Sequence, residues 1–268
     1  MAYTVEHLER SRAEGFGPLS VLRAALGEML GLDGQPVRLL DCGCGTGFFT
    51  RQYARLPGVA AVGLDMDETL LSAARELAAG EGLSIEFARG DITKLPYPDG
   101  SFDVVASDIL LEIFPDKTVP VRELVRVCRP GGKVLCMEPN YLSVVHYDPR
   151  LTAEDNRLWI QYHQAGRAFG AGVELPDAMR RSGLEDLQVV PWLWGGLAED
   201  TGDEPEEAYL QARDAELDQG LRLGLILEPE AEAYRALFRR TAAARKKGNA
   251  AVLHGINVYL VCGRKCVS

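Results

Sequence analysis

Positive charge and long apolar runs are both scarce in this sequence, and each scarcity excludes something. Lys and Arg number 29 against 39 Asp and Glu, a formal net charge of -10. Nucleic-acid binding needs a basic surface that displaces counterions, so no nucleic-acid partner is expected. No stretch approaches the roughly 20 apolar residues that cross a bilayer; VVASDILLEIF is interrupted by Asp108 and Glu112. The opening MAYTVEHLERSR is charged within its first ten residues and lacks the apolar core of a secretory signal. A cytoplasmic location without membrane association is therefore expected. The six cysteines, at 42, 44, 128, 136, 262 and 266, show no paired metal-ligand spacing. Cys42 and Cys44 stand too close for an easy bridge, so reduced thiols and no bound metal are expected.

What the sequence does have is an ordinary globular balance, 47% apolar and 25% charged, enough to bury a sizeable core. Leu19, Leu22, Leu26 and Met29 recur at helical spacing, and Gly31 closes that segment. The run VRLL then stops at Asp41 and a glycine loop, as a buried parallel strand entering a tight turn does. Residues 48–56 read as a helix and 60–65 as a second buried strand. A helix over 68–79 follows, with Leu70, Leu71, Ala74 and Leu77 inward. Strands over 84–91 and 101–108, a helix over 118–128, the turn RPGG and a strand over 133–138 continue the alternation. A short helix over 175–182 and strands over 184–192 and 251–263 complete it. This spacing predicts a doubly wound, mostly parallel α/β sheet.

Two insertions stand apart. Residues 140–172 are rich in aromatics and His. Residues 197–248 read as mostly helical, with an Asp203…Glu206 capping pair, Pro205 in the first turn, and a second helix over 229–247 that is acidic at its start and basic at its end. The chain is read as a single domain over 1–268. It divides into a helical segment 1–34, a core 35–139, insertions 140–172 and 197–248 acting as a helical lid, and a final strand in 249–268.

The most informative segment is LLDCGCGTGFF, 39–49. Gly43, Gly45 and Gly47 let a backbone pass close to a ligand where a Cβ would clash. They follow the first strand and precede a helix, where open α/β sheets bind ligands. Dinucleotide oxidoreductases carry G-x-G-x-x-G there. Counted from Gly43 the sixth position is Phe48, and from Gly45 it is Thr50, so neither register fits. Asp65 closes the second strand roughly 20 residues beyond the glycines, placed to accept two ribose hydroxyls, a feature nicotinamide enzymes share.

The pattern D-x-G-x-G-x-G, Asp41 through Gly47, resembles the first motif of the class I S-adenosylmethionine-dependent methyltransferases. ARGDITKLPYPDGSFDVV, 88–105, is similar to the segment with which that family forms its adenine pocket and enters the fourth strand. RVCRPGGKVLCMEPN, 126–140, is similar to its turn into the fifth. The resemblance is strongest to the small-molecule branch that includes ubiquinone and menaquinone biosynthesis methyltransferases. It implies a Rossmann-like sheet of seven strands with an antiparallel last strand, S-adenosylmethionine as cofactor, and a small-molecule methyl acceptor. By position it also implies roles. The backbone of Gly43, Cys44 and Gly45 packs against the methionine portion, and Asp41 holds the loop. Asp65 takes the ribose hydroxyls and Met66 the adenine face. Asp91 accepts from the exocyclic amine, the Ile92 N–H meets a ring nitrogen, and the Ser107 carbonyl lies near the sulfonium.

Methyl transfer from a sulfonium asks chiefly for alignment, and for a base only where the acceptor must lose a proton early. Asp108, Glu112, His146, Tyr147 and His163 lie near the expected mouth, and His146 or His163 is the expected catalytic residue. Tyr141, Trp159, Tyr162 and Phe169 are expected to wall an apolar acceptor pocket, or else to form the lid's own core. ASDILLE stands where methyltransferases of DNA bases or glutamine carry N-P-P-Y or D-P-P-Y. No Pro-Cys pair suggests cytosine chemistry, and no carboxylate set marks a magnesium site. A small, partly apolar metabolite is the expected acceptor. Two other functions fit the same fold. A nicotinamide-dependent oxidoreductase is opposed by the glycine spacing and by the lack of a Tyr-x-x-x-Lys pair. A regulatory protein that keeps the fold without catalysis is opposed by the intact cofactor positions.

Overall fold

The computed structural model describes residues 4–146, 171–198, 226–246 and 252–267, with isolated positions between 152 and 160 and between 214 and 224. The chain forms two compact units. One comprises Met1–Pro139, Ala171–Trp192 and Val258–Ser268; the other comprises Asn140–Gly170 and Leu193–Asn257.

The first unit opens with α1 (Val5–Gly15) and α2 (Leu19–Leu30). Leu22, Leu26, Met29 and Leu30 form the buried stripe of α2, which ends where Gly31 takes φ 62°. Next come β1 (Val37–Cys42), α3 (Phe48–Tyr53), β2 (Val59–Asp65) and α4 (Glu68–Gly80). Asp67 caps α4 by accepting from the N–H groups of Thr69 and Leu70. The helix expected over 48–56 stops at Tyr53; beyond it the Arg55 and Leu56 N–H groups donate three residues back, to the Gln52 and Tyr53 carbonyls, in a tightened last turn. The sequence continues through β3 (Glu86–Arg89), β4 (Phe102–Asp108), α5 (Thr118–Val127), β5 (Cys128–His146), α6 (Ala171–Arg181), β6 (Leu184–Ala198) and β7 (Val252–Lys265).

The strands form one seven-stranded sheet in the order β3-β2-β1-β4-β5-β7-β6. Strands β1 and β2, β2 and β3, β1 and β4, and β4 and β5 pair in parallel. The last strand, β7, is antiparallel and sits between β5 and β6. The RPGG segment, expected as a turn ahead of its strand, is a bulge within β5. Phe102 pairs with Cys128 and Val104 with Lys133, so Arg129 to Gly132 bow out of register.

Leu40, Leu64, Val105, Val134 and Val261 belong to one continuous core. Each such burial contributes about 1.5–3 kcal/mol. The chain leaves β1 toward β2 on one side, while β4 lies on the other. Their carboxyl ends therefore part at a topological switch point, the crevice where such sheets take ligands.

In the second unit, α7 (Glu228–Lys246) carries Glu228 and Glu230 in its first turn, as its dipole favours. Leu217, Ile226, Ala231 and Tyr234 are buried there. Arg157 reaches Glu230 at 2.9 Å, and Arg235 pairs with Asp218 at 2.6 Å and Glu232 at 2.8 Å. The Asp203…Glu206 pair and Pro205 lie outside the described residues. Among the described residues no helix is long and apolar enough to cross a membrane.

Candidate active site

After Cys42 the chain turns through Gly43 at φ 75° and Gly45 at φ 55°, a region that disfavours any side chain. The loop spends its donors on its own protein. The N–H groups of Gly43 and Cys44 both donate to the Leu64 carbonyl, at 2.7 and 3.0 Å, and that of Gly47 donates to the Cys44 carbonyl at 2.8 Å. The Gly45 N–H donates to Asp65 Oδ2 at 2.8 Å. The glycines serve different ends. A Cβ at Gly43 would stand 2.1 Å from Leu110 Cδ2, and one at Gly47 would stand 2.9 Å from Phe87 Cε1, so the crowding there comes from the protein itself. A Cβ at Gly45 would meet nothing within 4 Å, which makes Gly45 the open face of the loop. The Cys44 side chain turns inward to pack with Leu71, Ala74, Ala78 and Phe87, leaving its backbone for contact.

Asp65 ends β2 half-buried, and its second oxygen accepts the Asp67 N–H at 2.9 Å. Each carboxylate oxygen keeps a further lone pair. Met66 beside it is 69% exposed, so a flat apolar face there is free to receive a ring. The Gly90 N–H donates to the Asp65 carbonyl at 2.9 Å, which brings Asp91 to the same edge. One oxygen of exposed Asp91 accepts from Thr93 N and Thr93 Oγ1, each at 2.8 Å, and these bonds hold the carboxyl below its usual pKa. The Ile92 side chain is buried in the main core, so only its backbone can reach a ligand.

Beneath the loop lies a row of buried acids. Leu39, Leu40 and Asp41 of β1 pair with Val104, Val105 and Ala106 of β4, and the two-residue strand period then puts Asp108 on the face of Asp41. Thr50 and Tyr53, three apart on α3, meet them. Thr50 Oγ1 donates to Asp41, and Tyr53 Oη donates to Asp108 Oδ2 at 2.8 Å. Burial pushes Asp41 up to about 7, opposed by the Thr50 hydrogen bond and by the charge of Arg12, while Asp108 is driven well above the carboxylate range by burial and by Asp41. Glu138 accepts from the N–H groups of Leu110 and Leu111 at 2.9 and 2.7 Å; burial and then Glu112 push it up to about 8. Ser107 alternates to the opposite face, fully buried, its Oγ without a partner among the described residues. Ile109 follows at φ 54°, strained for a β-branched residue, and this corner delivers Leu110 onto Gly43.

Helix α1 reaches the glycine loop as well. Its Glu9 accepts from Thr46 Oγ1 and pairs with Arg51, whose other donors reach the Thr46 carbonyl at 2.8 Å and Glu81 at 3.0 Å. Phe16 packs edge-on against Phe49 at 5.2 Å, and the Arg12 guanidinium stands over the same ring at 5.9 Å. The signal was only a pair of charges three residues apart, and nothing local distinguishes a buried charged helix face from a solvated one. His146 ends β5 in the second unit. Its side chain, and the whole of Tyr147, Trp159, Tyr162, His163 and Phe169, lie outside the described residues.

A dinucleotide's pyrophosphate needs free backbone N–H groups and a positive site. Here the N–H groups of Gly43, Cys44, Gly45 and Gly47 are all taken up within the protein, which leaves fewer donors for a pyrophosphate. Residues 40–136 match the family model described as a methyltransferase domain. The chain carries a methyltransferase domain, of the class I S-adenosylmethionine-dependent kind.

Over 186 residues the chain is 28% identical to the demethylmenaquinone methyltransferase of Bacillus cereus (strain ATCC 10987), covering 63% of this chain and 78% of that one. Among solved structures, the YcgJ protein of Bacillus subtilis shares the fold at a TM-score of 0.57 and 19% identity, over 92% of this chain and 97% of that one. The phosphoethanolamine N-methyltransferase 2 of Haemonchus contortus, solved with S-adenosyl-L-methionine, shares it at 0.55 and 17%, over 92% of this chain and 52% of that one. The residues present in this methyltransferase fit its cofactor, S-adenosylmethionine. The open face at Gly45, the exposed Met66 and the spare lone pairs of Asp65 match a nucleoside.

Proposed function

We propose that this methyltransferase acts in the cytoplasm on a small, partly apolar metabolite. The observation that carries the acceptor class is the likeness to an enzyme named for demethylmenaquinone. The formal charge of -10 supports it by opposing a nucleic-acid acceptor.

In this reading Asp65 accepts from both ribose hydroxyls, Met66 covers the adenine, Asp91 takes the exocyclic amine on its spare oxygen, and the Ile92 N–H meets the ring. The Gly43, Cys44 and Gly45 backbone lines the methionine portion, Asp41 holds the loop through Thr50, and the Ser107 carbonyl faces the reacting end. S-Adenosylmethionine, when bound, supplies a methyl group already activated on a sulfonium. The chain's own task is then to align an acceptor and keep water out. Asp108, enclosed and with Oδ2 taken by Tyr53, is poorly placed to act as a base. Where the acceptor must lose a proton, His146 or His163 takes it.

A thermal-shift panel with S-adenosylmethionine, its demethylated product and NAD tests the cofactor crevice. A methyl-transfer screen over quinols, phenols, amines and small acids, with RNA and protein as controls, tests the acceptor. Transfer to a quinol or phenol is the expected result, and methylation of the RNA or protein control alone overturns the acceptor class.

A further inference from the structure

The cofactor is zwitterionic at its amino-acid end. It brings a sulfonium, an ammonium and one carboxylate. Asp41, Asp65 and Asp108 stand at the carboxyl ends of β1, β2 and β4, and none of them can receive that carboxylate. The carboxylate needs a cation of its own.

Arg89, paired with Asp65 in the sheet, spends Nε on the Met66 carbonyl at 3.1 Å. Arg51 is committed to Glu9, to Glu81 and to the Thr46 carbonyl. Arg12 is different. It is half-buried, its guanidinium is steadied over the Phe49 ring at 5.9 Å, and its Nη1 is buried without a hydrogen-bond partner among the described residues. A buried donor left unmade costs about 1–3 kcal/mol, more when charged, so its place is explained best by a ligand that completes it. Glu9, one turn before Arg12 and the charge that acts on it most strongly, accepts from Thr46 of the glycine loop, which sets this part of α1 against the loop. The helix is held down on both sides of Arg12, by Glu9 on Thr46 and Arg51 and by Phe16 on Phe49. The guanidinium is thus preorganised before any ligand arrives.

We propose that Arg12 binds the α-carboxylate of S-adenosylmethionine, so that α1 completes the cofactor site from outside the glycine-loop motif. A planar fork recognises a carboxylate through two parallel hydrogen bonds, which a lysine cannot reproduce. The proposal rests on the crevice at Gly45 and Asp65 being the cofactor site.

Calorimetry with two ligands tests it. One is S-adenosylmethionine. The other is its decarboxylated form, which keeps the sulfonium and the amine and lacks the carboxylate. The intact protein is expected to prefer the first. Arg12→Gln is expected to weaken the first by about 10- to 100-fold and the second by less than about 3-fold, the scale of one charge-assisted contact. Arg12→Lys keeps the charge beside Asp41 and Asp108 and should still lose selectivity between the ligands; it carries the test if the Gln variant fails to fold. Equal weakening of both ligands overturns the proposal and leaves Arg12 as a neutraliser of the buried acids. Unchanged binding of both also overturns it. If the unaltered protein binds neither ligand, the crevice itself is misassigned and the proposal falls with it.

Discussion

Gly45 donates its N–H to Asp65 Oδ2 at 2.8 Å, which ties the loop after β1 to the carboxylate that ends β2. One side chain therefore sets the loop's shape and faces the crevice. Cofactor affinity and loop geometry share an anchor.

Asp65→Ala should weaken S-adenosylmethionine by about 2–4 kcal/mol, since it removes a charged acceptor and also releases the loop. Asp65→Asn keeps an acceptor for the Gly45 N–H and should lose less. Calorimetry beside circular dichroism separates the two effects. Full affinity in both variants would take Asp65 out of the site.

The two nearest glycines should fail differently. Gly43→Ala drives a methyl group into Leu110 and should cost more than about 2 kcal/mol of stability. Part of that loss should return in the Gly43→Ala, Leu110→Ala double variant, because the clash is with that side chain. Gly45→Ala enters open space and should cost about 1 kcal/mol for its positive φ, yet lose cofactor affinity disproportionately. Denaturant melts and calorimetry on both variants check the contrast. Equal losses of stability with unchanged affinity would refute it.

Stability should depend on pH in an unusual direction. Asp41 and Glu138 keep protons in the fold up to about 7 and about 8. The unfolded chain releases them near pH 4. Between about pH 4 and pH 8 the unfolded state binds fewer protons, so this contribution is full below that window and is lost as pH rises through it. Asp41→Asn should flatten part of the slope. Denaturant midpoints at about pH 5 and pH 8 give the comparison, and an Asn variant with the full slope would clear Asp41 of the effect.

For catalysis, His146→Ala or His163→Ala should lower kcat by about 100-fold or more with an acceptor that must lose a proton. Steady-state kinetics at saturating cofactor measure this. Two variants with unaltered kcat and KM would leave neither His in the reaction.

Much of the architecture was legible from local pattern. The apolar stripe Leu22, Leu26, Met29 with Gly31 specified α2, and the run ending at Asp41 specified β1, because a helical or strand period needs only neighbours to be read. The glycine spacing and Asp65 likewise marked the crevice. The bulge at Arg129 to Gly132 was read as a plain turn, since only pairing with β4 reveals that the strand resumes on either side of it.

What the sequence by itself determined is the order of elements and the identity of the loop, through periodicity, glycine and the acid at a strand end. Tertiary structure decided the rest. Thr46 meets Glu9 across 37 residues, and Tyr53 meets Asp108 across 55. No local pattern encodes such partners. They are chosen by which helix face the sheet buries, and burial is also what turns an ordinary Asp41 into a group that titrates near neutrality and turns Arg12 from a surface charge into a poised one.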